Sequence, residues 1–258
     1  MKTYIQKNKI LAIIPARGGS KRIKNKNLIN FFGKKLIDYS LDIAIQTKIF
    51  DQIFISTDSN KISKIVKKKN IQTPFFRSKK NSSDNATIRA VLLEVLTNFK
   101  KNNEIFKYCC CIYPTAVFIK KKQIIESFNL LKKNRLDSVL SISKHENVIL
   151  KSFSKNSKNI IKMNYPKYKD KMSQYFKDSY YDSGQFFWIN VESFLKSKHI
   201  VTKNTGSITI PSVMCQDINT KEDLKQAKFK YLYFRSLKKN IQKRISGIKL
   251  KNKNNGRR

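Results

Sequence analysis

Ile10-Leu11-Ala12-Ile13-Ile14-Pro15, followed by Ala16-Arg17-Gly18-Gly19-Ser20-Lys21-Arg22-Ile23-Lys24-Asn25-Lys26-Asn27, is the stretch on which the fold turns. The first six residues form a short apolar run stopped by proline, which predicts a strand over Ile10–Pro15 buried on both faces, as in a parallel sheet. Two of the chain's seven glycines follow at once, and Arg17, Lys21 and Lys26 surround them. Consecutive glycines let a backbone turn sharply and aim several N–H groups at one point, so the segment predicts a polyphosphate cradle at the end of a first strand. It is neither G-x-x-x-x-G-K-[ST] nor G-x-G-x-x-G, and an ordinary basic turn in a lysine-rich protein is the plain alternative. Its place after a buried strand favours phosphate, because ligands of open parallel sheets bind beyond the carboxyl ends of the strands.

Outward from there, helical and strand periods alternate. The pattern predicts a helix over Leu36–Gln46, a strand over Gln52–Ser56, a helix over Lys61–Lys69, a loop over 74–86 and a helix over Thr87–Phe99. A strand over Tyr108–Tyr113, a helix over Gln123–Lys133 and a strand over Ser138–Ile142 follow. From Lys144 to Tyr180 the alternation fails, and the polar, Tyr- and Lys-rich segment reads as an inserted excursion. Strands resume at Gln185–Ile189 and near Ser207–Ile210, and a last helix opens at Thr220-Lys221-Glu222-Asp223, close to a capping box. The expectation is an α/β protein with a mostly parallel, Rossmann-like sheet and helices on both faces. One domain spans 1–237 with an insert at about 144–180, and 238–258 is a basic C-terminal tail.

A chain of 258 residues, 40% hydrophobic, can bury a substantial core without disulfide staples. Lys and Arg number 55 against 17 Asp and Glu, a formal charge of +38, which is a level associated with nucleic-acid binding. Most of the lysines are spread along the chain among Asn and Ile, and no RNA-binding motif is present, so a basic RNA-binding scaffold is the weaker reading and nucleic acid is not the expected partner. The tail is the exception, with nine cations and no acid. No apolar run approaches the roughly 18 residues that cross a bilayer and the start is polar, so the expected protein is soluble, cytoplasmic and without a membrane partner. Cys109, Cys110 and Cys111 are consecutive and Cys215 stands alone, while His145 and His199 show no ligand spacing. Buried reduced thiols are expected rather than disulfides or zinc.

Acids are scarce enough to weigh one by one. Asp58, Asp182 and Asp217 fall at predicted strand ends, where a carboxylate could hold magnesium against substrate phosphates. Asp58 reads better as the N-cap of the helix at Asn60. Asp182, in Tyr180-Tyr181-Asp182-Ser183-Gly184-Gln185, suits an Asx turn equally well.

The segment IIPARGGSKRIKNKN resembles the N-terminal signature of the CMP-sialic acid synthetases and their relatives, the cytidylyltransferases that activate nine-carbon nonulosonic acids. Ile55-Ser56-Thr57-Asp58, Phe76-Arg77 with Ser82-Ser83-Asp84, Tyr113-Pro114-Thr115-Ala116 and Gln216-Asp217-Ile218-Asn219-Thr220 fall in the same order, so the resemblance spans roughly 9–230. Residues 180–188 are similar to the pseudaminic acid branch. The resemblance implies a nucleotidyltransferase sheet, magnesium as cofactor, CTP and a sugar acid as partners, and a homodimer whose insert at about 144–180 lends residues to the partner's site. It implies Arg17, Lys21 and Lys26 as triphosphate and catalytic cations, supported by Asn27. Gly18, Gly19 and Ser20 would lie against the nucleotide and Arg77 on its cytosine or ribose side. Asp182 and Gln185 would face the sugar, and Asp217 with Asn219 the metal. The family has Asp-x-Asp where this chain has Asp217-Ile218-Asn219, which puts metal affinity and activity in question, and the branch carries His where Tyr181 stands.

Overall fold

The computed structural model describes residues 8–237. Its strands are β1 (Ile10–Pro15), β2 (Asn30–Phe31), β3 (Lys34–Lys35), β4 (Gln52–Ser56), β5 (Tyr108–Ile112), β6 (Ser138–Lys144), β7 (Phe153–Lys155), β8 (Ile161–Met163), β9 (Tyr180–Asn190) and β10 (Thr205–Thr209). The helices are α1 (Leu36–Thr47), α2 (Asn60–Lys67), α3 (Lys79–Ser82), α4 (Ile88–Lys101), α5 (Lys121–Lys133), α6 (Val191–Ser197) and α7, which covers 221–237 of the described residues. Two compact units divide between Asp217 and Ile218. The basic tail lies outside the described residues.

In the first unit a six-stranded sheet runs in the order β10-β6-β9-β5-β1-β4. β1 pairs in parallel with β4 and β5, and β10 with β6, whereas β9 is antiparallel to both of its neighbours. The mostly parallel sheet is therefore as expected, with one reversal near its centre. That reversal brings the beginning of β9 to the edge at which β1, β4, β5 and β6 end.

Period-2 burial explains the layers. On one face Leu11 and Ile13 join Phe54, Cys109, Cys111 and Phe187 in a core closed by Leu92, Val95, Leu96 and Phe99 of α4 and Phe194 of α6. On the other, Trp188 of β9 stacks on Phe128 of α5 with centroids 4.6 Å apart, and its indole N–H donates to the Ile124 carbonyl at 3.2 Å. A buried indole thus keeps its one polar group satisfied.

The structure corrects several boundaries. Residues 74–86 hold the one-turn α3; β6 runs on to Lys144 and β9 starts at Tyr180, which confines the excursion to 145–179. Within it, β7 and β8 form a hairpin among short 3-10 turns, and Phe153, Ile160, Ile161, Met172 and Tyr175 are exposed. The short strands β2 and β3 and helix α6 had no sequence expectation. In the second unit Thr220 Oγ1 accepts from the Asp223 N–H at 3.1 Å, and the Asp223 carboxylate accepts from the N–H of Thr220 at 2.7 Å and of Asn219 at 2.9 Å. The capping box forms as expected.

Candidate active site

The cationic loop leaves β1 at the carboxyl edge and is held by the segments that follow β4 and precede α4. Arg17 donates from Nη1 to the Ser82 carbonyl at 3.1 Å and from Nη2 to Asp84 Oδ1 at 2.7 Å. Lys21 Nζ meets the other oxygen of the same carboxylate at 2.6 Å. Lys21 first and Arg17 next hold the Asp84 carboxyl below its usual range by hydrogen bonding. Asn27, buried, donates from Nδ2 to the Arg17 carbonyl at 2.9 Å, while its Oδ1 is buried without a hydrogen-bond partner. Lys26 opens the 3-10 turn Lys26–Leu28 that carries Asn27.

Positive φ among the described glycines occurs at Gly33 and Gly184, so the Gly18-Gly19 turn does not rest on left-handed backbone. Gly18 is required by proximity: a Cβ there would stand 2.9 Å from Ser59 Cβ. Its N–H donates to Asp58 Oδ1 at 2.7 Å, so this amide is engaged by a carboxylate. The Ser20 N–H is engaged within the turn, on the Gly18 carbonyl at 3.0 Å, and Gly19 is exposed with open space where a Cβ would lie. Asp58 is accordingly not the cap of α2. Ser59 takes that place, accepting from the Ile62 N–H at 3.4 Å, because Asp58 points back to the loop.

Arg77 is buried beneath this layer, with Nε on Ser56 Oγ at 2.9 Å and Nη2 on the Ser56 carbonyl at 2.5 Å. Burial pushes its pKa down to about 10, against the pull of Asp58 and Glu94, so the guanidinium is still charged at neutral pH. The guanidinium thus ties the end of β4 beneath the Arg17 loop, whose positive charge it feels.

The same edge also carries the beginning of β9. Between Leu140 and Ile142 its pairing with β6 slips: Leu140 faces Phe187 and Ile142 faces Asp182, so residues 183–186 bulge opposite Ser141. Ser141 Oγ fills the gap. It donates to the Phe186 carbonyl at 2.6 Å, accepts from the Phe186 N–H at 3.1 Å, and lies 2.7 Å from Ser183 Oγ. Asp182 Oδ1 accepts from the Gly184 N–H at 2.9 Å, the Asx turn foreseen as its structural role. Gly184 sits at φ +63, a backbone requirement for glycine, and a Cβ there would lie in ordinary contact with Asp217 Cβ at 3.9 Å. Gln185 is fully buried: Nε2 donates to the Ser183 carbonyl at 3.2 Å and Oε1 has no hydrogen-bond partner. Its carbonyl accepts from the Tyr113 N–H at 2.9 Å, which ties the end of β5 to the bulge.

Burial pushes the Tyr113 phenol well above its ordinary range, and Cys111, Asp182 and Asp217 add to the effect. Two carboxylates and a neutral phenol therefore share one corner. Asp182, on the Gly184 N–H, and Asp217, near the same glycine, are carboxylates that would suit a magnesium ion drawing most of its oxygens from phosphates; among the described residues no cluster of three His, Cys, Asp or Glu able to hold a metal occurs. Asn219 belongs to the second unit, its N–H on Asp223. Sequence reasoning had assigned no role to Asp84, Ser141 or Tyr113. The +38 charge offered one clue to Asp84, for a lone acid within reach of a cationic loop in so basic a chain is a natural counter-ion. Burial raises the pKa of all three consecutive thiols, and the four cysteines are free and buried, as expected.

With this geometry established, the likenesses to known proteins are informative. The fold is similar to CMP:2-keto-3-deoxy-manno-octonic acid synthetase complexed with CTP, with a TM-score of 0.64 at 13% identity over 88% of this chain and 99% of that one. It is also similar to 4-diphosphocytidyl-2C-methyl-D-erythritol synthase from Anaerococcus prevotii, with a TM-score of 0.58 at 17% identity over 87% and 98%. In sequence the chain is 33% identical over 223 residues to the pseudaminic acid cytidylyltransferase of Campylobacter jejuni, covering 86% of this chain and 96% of the relative. It is 28% identical over 219 residues to the N-acylneuraminate cytidylyltransferase of Streptococcus agalactiae, covering 83% and 51%. The profile of the cytidylyltransferase family matches residues 11–245, from the first strand through the last described helix. Likeness sustained over that length, and at that identity, establishes that the chain belongs to the cytidylyltransferase family.

Proposed function

We propose that this cytidylyltransferase transfers CMP from CTP to the anomeric hydroxyl of a nine-carbon 2-keto sugar acid, pseudaminic acid by preference, releasing diphosphate. The observation that carries the reading is the pairing of a cationic loop, Arg17 with Lys21 and Lys26, with the carboxylate corner of Asp182 and Asp217 on the same sheet edge. The pseudaminic acid preference rests on the sequence likeness, which spans nearly the full length of the Campylobacter jejuni relative.

In this reading the anomeric oxygen attacks the α-phosphorus and gives up its proton to solvent, the bond from that phosphorus to the bridging oxygen breaks, and diphosphate leaves with the electron pair. Such a reaction asks a protein mainly for positioning and charge neutralisation. Arg17 and Lys26 would stabilise charge gathering on the phosphoryl oxygens, Lys21 would hold the outgoing phosphates, and Gly18, Gly19 and Ser20 would border the nucleotide. Asn27 would keep the loop in place from below and Arg77 would support the cytidine side. Asp182 and Gln185 would orient the sugar acid. Asp217 would hold magnesium, which when bound neutralises phosphate charge and polarises the α-phosphoryl group.

We further propose a homodimer built on the excursion, because Phe153, Ile160, Ile161, Met172 and Tyr175 leave an apolar surface there without cover in one chain. Among the described residues no helix is long and apolar enough to cross a membrane. The test is diphosphate release from CTP and magnesium with pseudaminic, legionaminic and sialic acids in turn. Fastest turnover with pseudaminic acid is expected, and release with none of the three would overturn the proposal.

A further inference from the structure

We propose that Asp84 is an exchangeable counter-ion for the phosphate-binding cations, holding Arg17 and Lys21 in place until a polyphosphate takes Lys21 from it. The inference deepens the reading of the cationic loop as the triphosphate site and rests on it.

One carboxylate receives two cations here, Arg17 on Oδ1 and Lys21 on Oδ2. A bridging phosphate would engage them in the same way, through two oxygens of one anionic group. The carboxylate stands on a fixed mount. The N–H of Ser78 donates to Glu94 Oε1 at 2.7 Å and its hydroxyl to Oε2 at 3.2 Å, and Asn81 Nδ2 donates to the same carboxylate of α4. The loop is therefore drawn to the α3 segment.

The two arms differ in strength. The Arg17 side chain is 29% exposed and keeps the Ser82 carbonyl as a second partner, whereas Lys21 is 81% exposed and pairs with Asp84 alone among the described residues. An ion pair this exposed holds weakly in water, so Lys21 is the cation that an incoming polyanion removes, while Arg17 stays aligned. The negative charge of Asp84 also repels the ligand it makes room for. It orders the empty loop at the cost of some affinity.

The test is calorimetric titration with inorganic tripolyphosphate, without metal and at constant ionic strength, of the wild type, Asp84→Asn, Lys21→Gln and the double variant. Removing a like charge at this range predicts about three- to tenfold tighter binding by Asp84→Asn, because the amide can still accept from Arg17. Most of the gain should vanish in the Lys21→Gln background, and KM for CTP should fall by more than kcat changes. A merely structural role would weaken binding, so unchanged or weaker binding by a folded Asp84→Asn protein overturns the proposal. Should that variant fail to fold, Asp84→Ser is read in the same titration to the same criterion. Turnover with none of the sugar acids, together with tighter tripolyphosphate binding by Asp84→Asn, would break the substrate reading and uphold the counter-ion.

Discussion

The loop after β1 and the bulge of β9 lie at the same edge of the sheet. Arg17 and Lys21 are fixed there by a carboxylate 67 residues from Arg17 whose side chain is 40% exposed, whereas the bulge is fixed by Ser141 and Ser183 hydroxyls sealed from solvent. Ion pairs in water are weak, quickly exchanged and screened by salt. Buried hydroxyls that complete a strand ladder are costly to remove, since each loss strands a backbone group away from water. The cationic loop is thus held by bonds that an anionic ligand could exchange, and the bulge by bonds that keep its shape.

Replacing Arg17 by Ala tests the first half most severely. Turnover should fall by about two decades or more, as when a preorganised donor is removed, while denaturant melting stays nearly unchanged. Normal turnover in that protein would refute the assignment. Ser141→Ala strikes the second half and should do the reverse. It leaves the Phe186 N–H and carbonyl without their hydroxyl partner, costing about 1–3 kcal/mol in denaturant unfolding and lowering kcat only as far as Asp182 and Gln185 shift. If its stability matched the wild type, Ser141 would not be what sets the bulge.

A smaller effect is expected from Asn219→Asp, which restores an acid two residues from Asp217. The magnesium concentration for half-maximal rate should drop several-fold. No change, with a wild type already active at low magnesium, would show that this position does not limit the metal and would remove the suspicion of a decayed enzyme.

The pH dependence of the Asp84 clamp should be smaller still. A carboxylate with a lowered pKa contributes above its ordinary range and is lost only as pH falls through the lowered folded value. Tripolyphosphate affinity should therefore show no step from this carboxylate between about pH 6 and 8 once titration of the ligand is subtracted. A step in the wild type that disappears in Asp84→Asn would contradict that.

Much of this was legible in the chain because local chemistry was enough. Ile10–Pro15 is apolar and closed by proline, Gln52–Ser56 ends before Thr57-Asp58, and Thr220 through Asp223 carries its own cap, so those elements depend on neighbours a few residues away. Arg17, Lys21 and Lys26 stood out for the same reason, as cations clustered around paired glycines.

What tertiary structure alone decided involves partners far apart in sequence. A strand buried on both faces has the same apolar pattern in either direction, so nothing in Gln185–Ile189 revealed that β9 runs antiparallel, and with it that Asp182 arrives at the carboxyl edge. Asp58 looked like a helix cap because capping is a local habit of aspartate; the Gly18 N–H that claims it comes from 40 residues earlier. Short-range spacing selects residue types and elements, but which carboxylate meets which cation depends on strand order and strand direction. Those are settled only when the two faces of the sheet are buried.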